Sequence, residues 1–305
     1  MAAMVIAATG VFVSSAEERV DLDAQARRRV EAGTRPTTDF SRAEAYEAMQ
    51  AGATTSIETP DRNAFSHFSA NLNPADEMRF RLGNALFRKL WVPAPSSTQA
   101  SDGLGPFYNA RSCEDCHKAD GRGHPPEGRA DATSMFLRLA RPITAAADRQ
   151  ALQSHLELTL PDPVYGHQLQ DKAIAGMAAE GQMAIRYTAL PFQYPDGTVV
   201  TLRQPHYAAA ALRYGPLSTD TTLSARVAPA MIGLGLIEAL ADSDILALAD
   251  PGDADHDGIS GRPQQRRDDS GAVRVGRFGW KGENVSIRDQ SAQALAGDMG
   301  ISTPE

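Results

Sequence analysis

The chain has 305 residues, enough for one large domain or two small ones with a substantial core. Its formal charge is −8, which excludes the basic footprint of a nucleic-acid binder and is compatible with a basic redox partner. Aromatic residues make up only 6% of the chain, so a flat organic cofactor filling part of the interior is one expectation.

Residues 1–16 are uncharged and mostly apolar, and end in Ser14, Ser15 and Ala16 before Glu17 and Glu18. That reads as a signal-peptide core and cleavage end, though without a basic start. It predicts a periplasmic or otherwise exported protein. No other stretch approaches the ~20 apolar residues of a membrane span, so none is expected in the mature chain. Residues 17–60 read as a polar extension with alternating charges. A short helix is expected over 41–50, where Ser41 and Glu44 form a capping pattern.

From Asn73 the signals sharpen. Asn73 can cap a helix, Pro74 suits its first position, and Asp76 favours its N-terminus. Leu82, Ala85, Leu86 and Leu90 then fall on one helical face, and Pro93 and Pro95 stop the helix.

The chain's only two cysteines sit in Cys113-Glu114-Asp115-Cys116-His117, a C-x-x-C-H. This spacing is the attachment signature of a c-type haem. Two thiols two residues apart can each form a thioether to the same porphyrin, and the adjacent imidazole faces the iron as proximal ligand. A thioredoxin-like pair would want a strand before the motif, and residues 103–110 do not read as one. Zinc would want two further ligands at finger-like spacing. The glycines at 121 and 123 allow a close backbone approach to a flat ligand. Arg111 and Arg122 are candidates for the haem propionates, against the alternative of solvated surface arginines.

After Ser134 the pattern becomes β-like. Residues 135–140 and 155–160 alternate, and 184–194 and 198–204 flank the turn Pro195-Asp196-Gly197, which predicts a β-hairpin. Residues 226–249 return to helical spacing, with Gly233 and Gly235 permitting close packing. Ser286 and Asp289 open a last helix that Gly297 can close. The expected domains are thus a haem segment at 61–133, a β-rich insertion at 134–225 and a helical part at 226–305.

Asp253, Asp255 and Asp257 occupy positions 1, 3 and 5 of an EF-hand-like loop, with Gly258 at its turn. Gln264 stands where the bidentate glutamate belongs, so the loop is not a true EF-hand. A calcium site and a solvated acidic turn both remain open. Candidates for the iron's sixth ligand are His67, His124, His155, His167, His206, Met135 and Met231. A methionine would suit electron transfer, and an open position would suit peroxide activation.

The run GLGPFYNARSCEDCHKADGRGHPP at 103–126 resembles the first haem segment of the bacterial di-haem oxidoreductase family. That family includes peroxidase-like and "thiol oxidoreductase" members and is distantly similar to di-haem cytochrome c peroxidases. The resemblance continues through PDPVYGHQLQD at 161–171, RVAPAMIGLGLIE at 226–238, DADHDGISGRP at 253–263, GRFGWK at 276–281 and GDMGI at 297–301. It implies a mainly α, cytochrome c-like haem domain with a β-rich hairpin insertion, α+β overall. It also implies export and haem-dependent electron transfer of peroxidase type. The family carries a second C-x-x-C-H, which these residues lack, so one covalent haem is expected. A non-catalytic relay or partner-binding module is the alternative. The implied partner is a redox protein or a separate chain bearing the second haem.

Overall fold

The computed structural model describes residues 22–304, apart from 36, 45, 46, 59, 127–132, 156 and 269. The signal-like segment 1–16 lies outside the described residues. In chain order the elements are α1 (Ala24–Thr34), α2 (Pro74–Arg88), β1 (Val92–Pro93), β2 (Asp102–Leu104), β3 (Phe107–Tyr108) and α3 (Cys113–Cys116). There follow β4 (Met135–Ala140), α4 (Ala146–Gln153), β5 (Lys172–Ala173), β6 (Gln182–Gln193), β7 (Val199–Ala210) and β8 (Thr222–Val227). The chain ends with α5 (Leu234–Glu238), α6 (Asp242–Leu246), β9 (Gln265–Arg267), β10 (Val273–Val275) and α7 (Ile287–Met299).

Helix and strand are close to balanced, at 27% and 22%, which overturns the expected mainly α cytochrome-like domain. The reason is local. Between Arg88 and Cys113 the chain meets Pro93, Pro95, Gly103, Gly105 and Pro106, which end helices or favour extended backbone. The haem-motif helix α3 itself has only one turn. Strands pair only in twos among the described residues: β1 with β2, β3 with β5, β4 with β8, β6 with β7 and β9 with β10.

α2 begins as its sequence requires. The Asn73 side chain accepts the backbone N–H of Ala75 and Asp76, both at 3.0 Å. Its apolar face is not covered by protein: Leu82 and Leu86 are each 61% exposed. Among the described residues of 41–50 no helix forms. Ser41 is drawn instead to Asp39, whose carboxylate accepts both its N–H and its hydroxyl. Residues 155–160 form no named strand among those described, only a bridge of Leu160 to Arg141. Within 226–249 the first residues complete β8, and two five-residue helices follow. Gly233 and Gly235 have open space around them, so close packing is not their role; Gly233 supplies a positive φ of 79° at the start of α5. α7 is capped by Ser286 as expected, but closed by Gly300 at φ 64° rather than by Gly297.

The core lies under the β4–β8 pair. β4 alternates buried and half-buried residues, burying Met135, Leu137 and Leu139. Leu137 and Leu139 pack with Tyr165 and Leu169, and Met183, Tyr207 and Leu223 close over them. Only the root of the β6–β7 hairpin joins this core; the rest projects away. The other anchoring contact joins α7 to the approach of the cysteine motif. Gly105 donates its N–H to the Met299 carbonyl at 2.9 Å, and a Cβ at Gly105 would run into the Gly300 backbone. Asn109 and Ala110 both donate to the Asp298 carbonyl, at 2.8 and 3.1 Å.

Candidate functional site

Ser112 and Asp115 build the one-turn helix that carries the cysteines. The Ser112 hydroxyl accepts the Asp115 N–H at 3.1 Å, and the Asp115 carboxylate accepts the N–H of Ser112 at 3.2 Å and of Arg111 at 3.0 Å. This capping box fixes the turn with two acidic residues, Glu114 and Asp115, at its N-terminus. Cys113 and Cys116 are both free thiols at its two ends. Burial, reinforced by the Asp298 carboxyl, pushes Cys113 up to about 11 and Cys116 up to about 12. The thiols are therefore protonated at neutral pH. That is unlike the acidic thiolates of redox-active or nucleophilic cysteines.

His117 follows directly, its N–H closing the turn onto the Cys113 carbonyl at 3.0 Å. Its Nδ1 lies 2.6 Å from the Pro229 carbonyl oxygen. A carbonyl only accepts, so Nδ1 carries the proton and Nε2 keeps its lone pair. Burial lowers the pKa of the imidazole, against the opposing effect of the Pro229 carbonyl, and so favours the neutral form. A neutral imidazole oriented through its other nitrogen is the state a metal ligand needs. The Phe87 ring of α2 sits 6.2 Å from the imidazole, centroid to centroid.

The segment after β8 runs along the motif and ties it down. Gly123 donates to the Ala228 carbonyl, Ala228 to that of Ser134, and Met231 to that of Asp120. The Asp120 carboxylate accepts from the Ser66 hydroxyl and from Asn84 Nδ2 at 3.2 Å, joining α2 to the same frame. Gly121 and Gly123 do allow close approach, but of protein to protein: a Cβ would stand 2.9 Å from the Lys118 carbonyl at the first and 2.5 Å from the Ser134 Cβ at the second. Behind the motif lies a polar network that sequence reading missed. Gln168 Nε2 donates to Asn109 Oδ1 at 2.7 Å and to Asp298 Oδ1 at 2.8 Å, and Asn109 Nδ2 donates to Asp171 at 3.0 Å. Desolvation raises the Asp298 carboxyl, against the Gln168 hydrogen bond that lowers it.

Other candidates are dispersed. Arg111 donates its Nε to the Trp91 carbonyl at 3.0 Å, and Arg122 is exposed. Met135 is buried in β4. Met231 is two residues beyond Pro229, and its N–H is donated to the Asp120 carbonyl. His67 faces Glu58 at 3.4 Å and His167 faces Glu157 at 3.5 Å. His124 turns to the Pro125 carbonyl, His155 sits at a positive φ of 59°, and His206 lies on β7 against Thr188. In the acidic loop, the carboxylates of Asp253 and Asp255 come within 4.8 Å of each other and of Asp250. Asp257 is not in that group; its carboxylate accepts the Ile259 N–H. Asp250 lies ahead of the loop and so escapes an EF-hand count.

The profile described as "Di-haem oxidoreductase, putative peroxidase" matches residues 45–305, and the chain belongs to this family. No curated protein and no solved structure matches the chain. Membership makes it a member of a haem-dependent, peroxidase-like oxidoreductase family. Among the described residues no helix is long and apolar enough to cross a membrane.

The residues present fit a covalently held haem. Two free thiols stand one helical turn apart, and beside them is an imidazole whose Nε2 is left available by the Pro229 contact. α2 packs against α3 and brings the Phe87 ring beside the imidazole.

Proposed function

We propose that this chain is an exported electron-transfer protein holding one c-type haem through thioethers at Cys113 and Cys116, with His117 as proximal iron ligand. The observation that carries the reading is the 2.6 Å contact between His117 Nδ1 and the Pro229 carbonyl, beside two free thiols. When bound, the haem supplies a one-electron iron centre. The chain's own part is positional. The Ser112–Asp115 box holds the thiols in register, Pro229 orients the imidazole, and the Phe87 ring covers one side of it. Export rests on the signal-like residues 1–16. We propose that this haem exchanges electrons with a redox protein or with a site bearing the second haem of the family. The alternative is a relay, in which this haem passes electrons without turning over peroxide. Calcium is proposed at Asp250, Asp253 and Asp255, whose carboxylates converge.

The test is a redox titration of the chain matured with a cytochrome c assembly system, followed by cyanide and peroxide. Reversible reduction of a covalent haem is expected. A cyanide-induced spectral shift with peroxide-dependent oxidation of a reduced donor marks a catalytic site, and an unresponsive low-spin spectrum marks a relay. A folded, matured chain without a reducible haem refutes the proposal.

A further inference from the structure

The β6–β7 hairpin extends well beyond what the core needs. Its twelve paired positions run from Gln182↔Ala210 to Gln193↔Val199, a reach of about 40 Å at roughly 3.4 Å per residue. Only the root packs on the body, through Met183, Tyr207 and Ala209. Isolated two-stranded ribbons are marginal in water, so an arm of this length gains from a covering partner.

One face of the outer half is apolar. Leu190↔Leu202 and Phe192↔Val200 are direct cross-strand pairs two residues apart, so all four share a face. Leu190 is 49% and Phe192 46% exposed, and Tyr194 stacks edge-on against Phe192 at 5.2 Å. Towards the root, the same register puts Arg186 opposite His206 on that face, and both are exposed. At the far end the turn carries Asp196. From root to tip the arm therefore reads cation, apolar, anion along its length.

The edges of the arm are closed to strand addition. Tyr194 and Thr198 are a hydrogen-bonded pair, with the Tyr194 N–H on the Thr198 carbonyl at 2.9 Å. In the alternating register that follows, Tyr187↔Pro205 and Pro191↔Thr201 are non-hydrogen-bonded pairs whose backbone nitrogens point outwards. Each free edge thus presents a proline without an N–H, a known block to edge pairing. A partner must dock on the face. Any strongly basic partner meets Arg186 and His206.

A second copy meets all three zones correctly. Turned antiparallel about a two-fold axis between the Leu190↔Leu202 and Phe192↔Val200 pairs, the apolar zones stack. Residue 191 is midway between 186 and 196, so each Asp196 then lies over the other copy's Arg186. We propose that this face is a self-association surface, on which two copies pack arm against arm with Leu190, Phe192 and Leu202 at the centre and Asp196 facing Arg186 and His206 of the other copy. A standard interface buries about 800 Å² per partner, and a dimer resting on one face of a two-stranded ribbon is expected to be weaker and concentration-dependent.

Sedimentation velocity on the haem-loaded full chain over a concentration series tests this. A monomer–dimer equilibrium is expected, with its dissociation constant raised at least about tenfold by Phe192→Glu. Asp196→Arg alone also weakens the dimer, and Arg186→Asp combined with Asp196→Arg restores it. All three sites are exposed, so an unchanged haem spectrum verifies the fold of each variant. A chain that stays monomeric throughout, a dimer indifferent to Phe192→Glu, or charge reversals that do not rescue each other overturns the proposal.

Discussion

Replacing both Cys113 and Cys116 with serine is expected to remove the covalent haem completely while leaving the chain folded. A serine hydroxyl forms no thioether to a porphyrin vinyl group, so the loss is all-or-none. The fold survives because the substitution conserves volume. Cys116 is 6% exposed and donates to the Thr133 carbonyl, a bond that a hydroxyl also makes. Either single variant keeps one thioether and shifts the reduced pyridine haemochrome band, whereas the double variant shows no band after acid–acetone extraction. A double variant that retains haem through extraction would contradict the assignment. His117→Ala separates tethering from ligation, and it is expected to keep both thioethers but lose the proximal nitrogen.

Asp162→Ala is expected to cost about 3 kcal/mol or more of unfolding free energy, a large share of the roughly 5–15 kcal/mol a domain has. Asp162 is 2% exposed, and its carboxylate takes the N–H of Val164 at 2.9 Å, of Tyr165 at 3.0 Å and of Ser218 at 3.0 Å, and the Thr221 hydroxyl at 2.6 Å. Truncation leaves four donors unpaired, in the turn beside core residue Tyr165 and in the loop that leads into β8. Burial pushes the Asp162 pKa up, but these four bonds together outweigh burial and hold it below the usual value. A carboxylate depressed in the folded state stabilises fully above the unfolded pKa of about 3.9. That contribution is lost as pH falls through the lower folded value. Urea unfolding of Asp162→Asn should show a shallower loss of stability below about pH 4 than the parent. Equal acid sensitivity of the two chains would exclude this role.

Where the signal was local, the sequence was legible. Asn73-Pro74 marked the start of α2, Ser286 that of α7, and Pro195-Asp196-Gly197 the hairpin turn, because caps and turns are settled within a few residues. C-x-x-C-H is local for the same reason. The partners that make it a site are not. Pro229 is 112 residues from His117, and Asp298 is 130 residues from Gln168. A proline carbonyl carries no sequence signature for such a role. Asp298 was within a recognised block, yet nothing in its neighbours foretold a polar network behind the cysteines. In 226–249 the short helices α5 and α6 form as the apolar spacing predicts, whereas residues 226 and 227 complete β8, whose pairing with β4 is decided by the core. The mainly α expectation came from resemblance to cytochromes, whereas prolines and glycines between Arg88 and Cys113 keep that stretch extended.

The central claim is tested most directly by the intact mass of the purified, matured chain, read together with its pyridine haemochrome spectrum. The account predicts the mass of the polypeptide plus one haem, unchanged by acid–acetone extraction, with the band of two thioether bonds. A mass equal to the polypeptide alone, with both thiols still reactive to alkylation after unfolding, would contradict it.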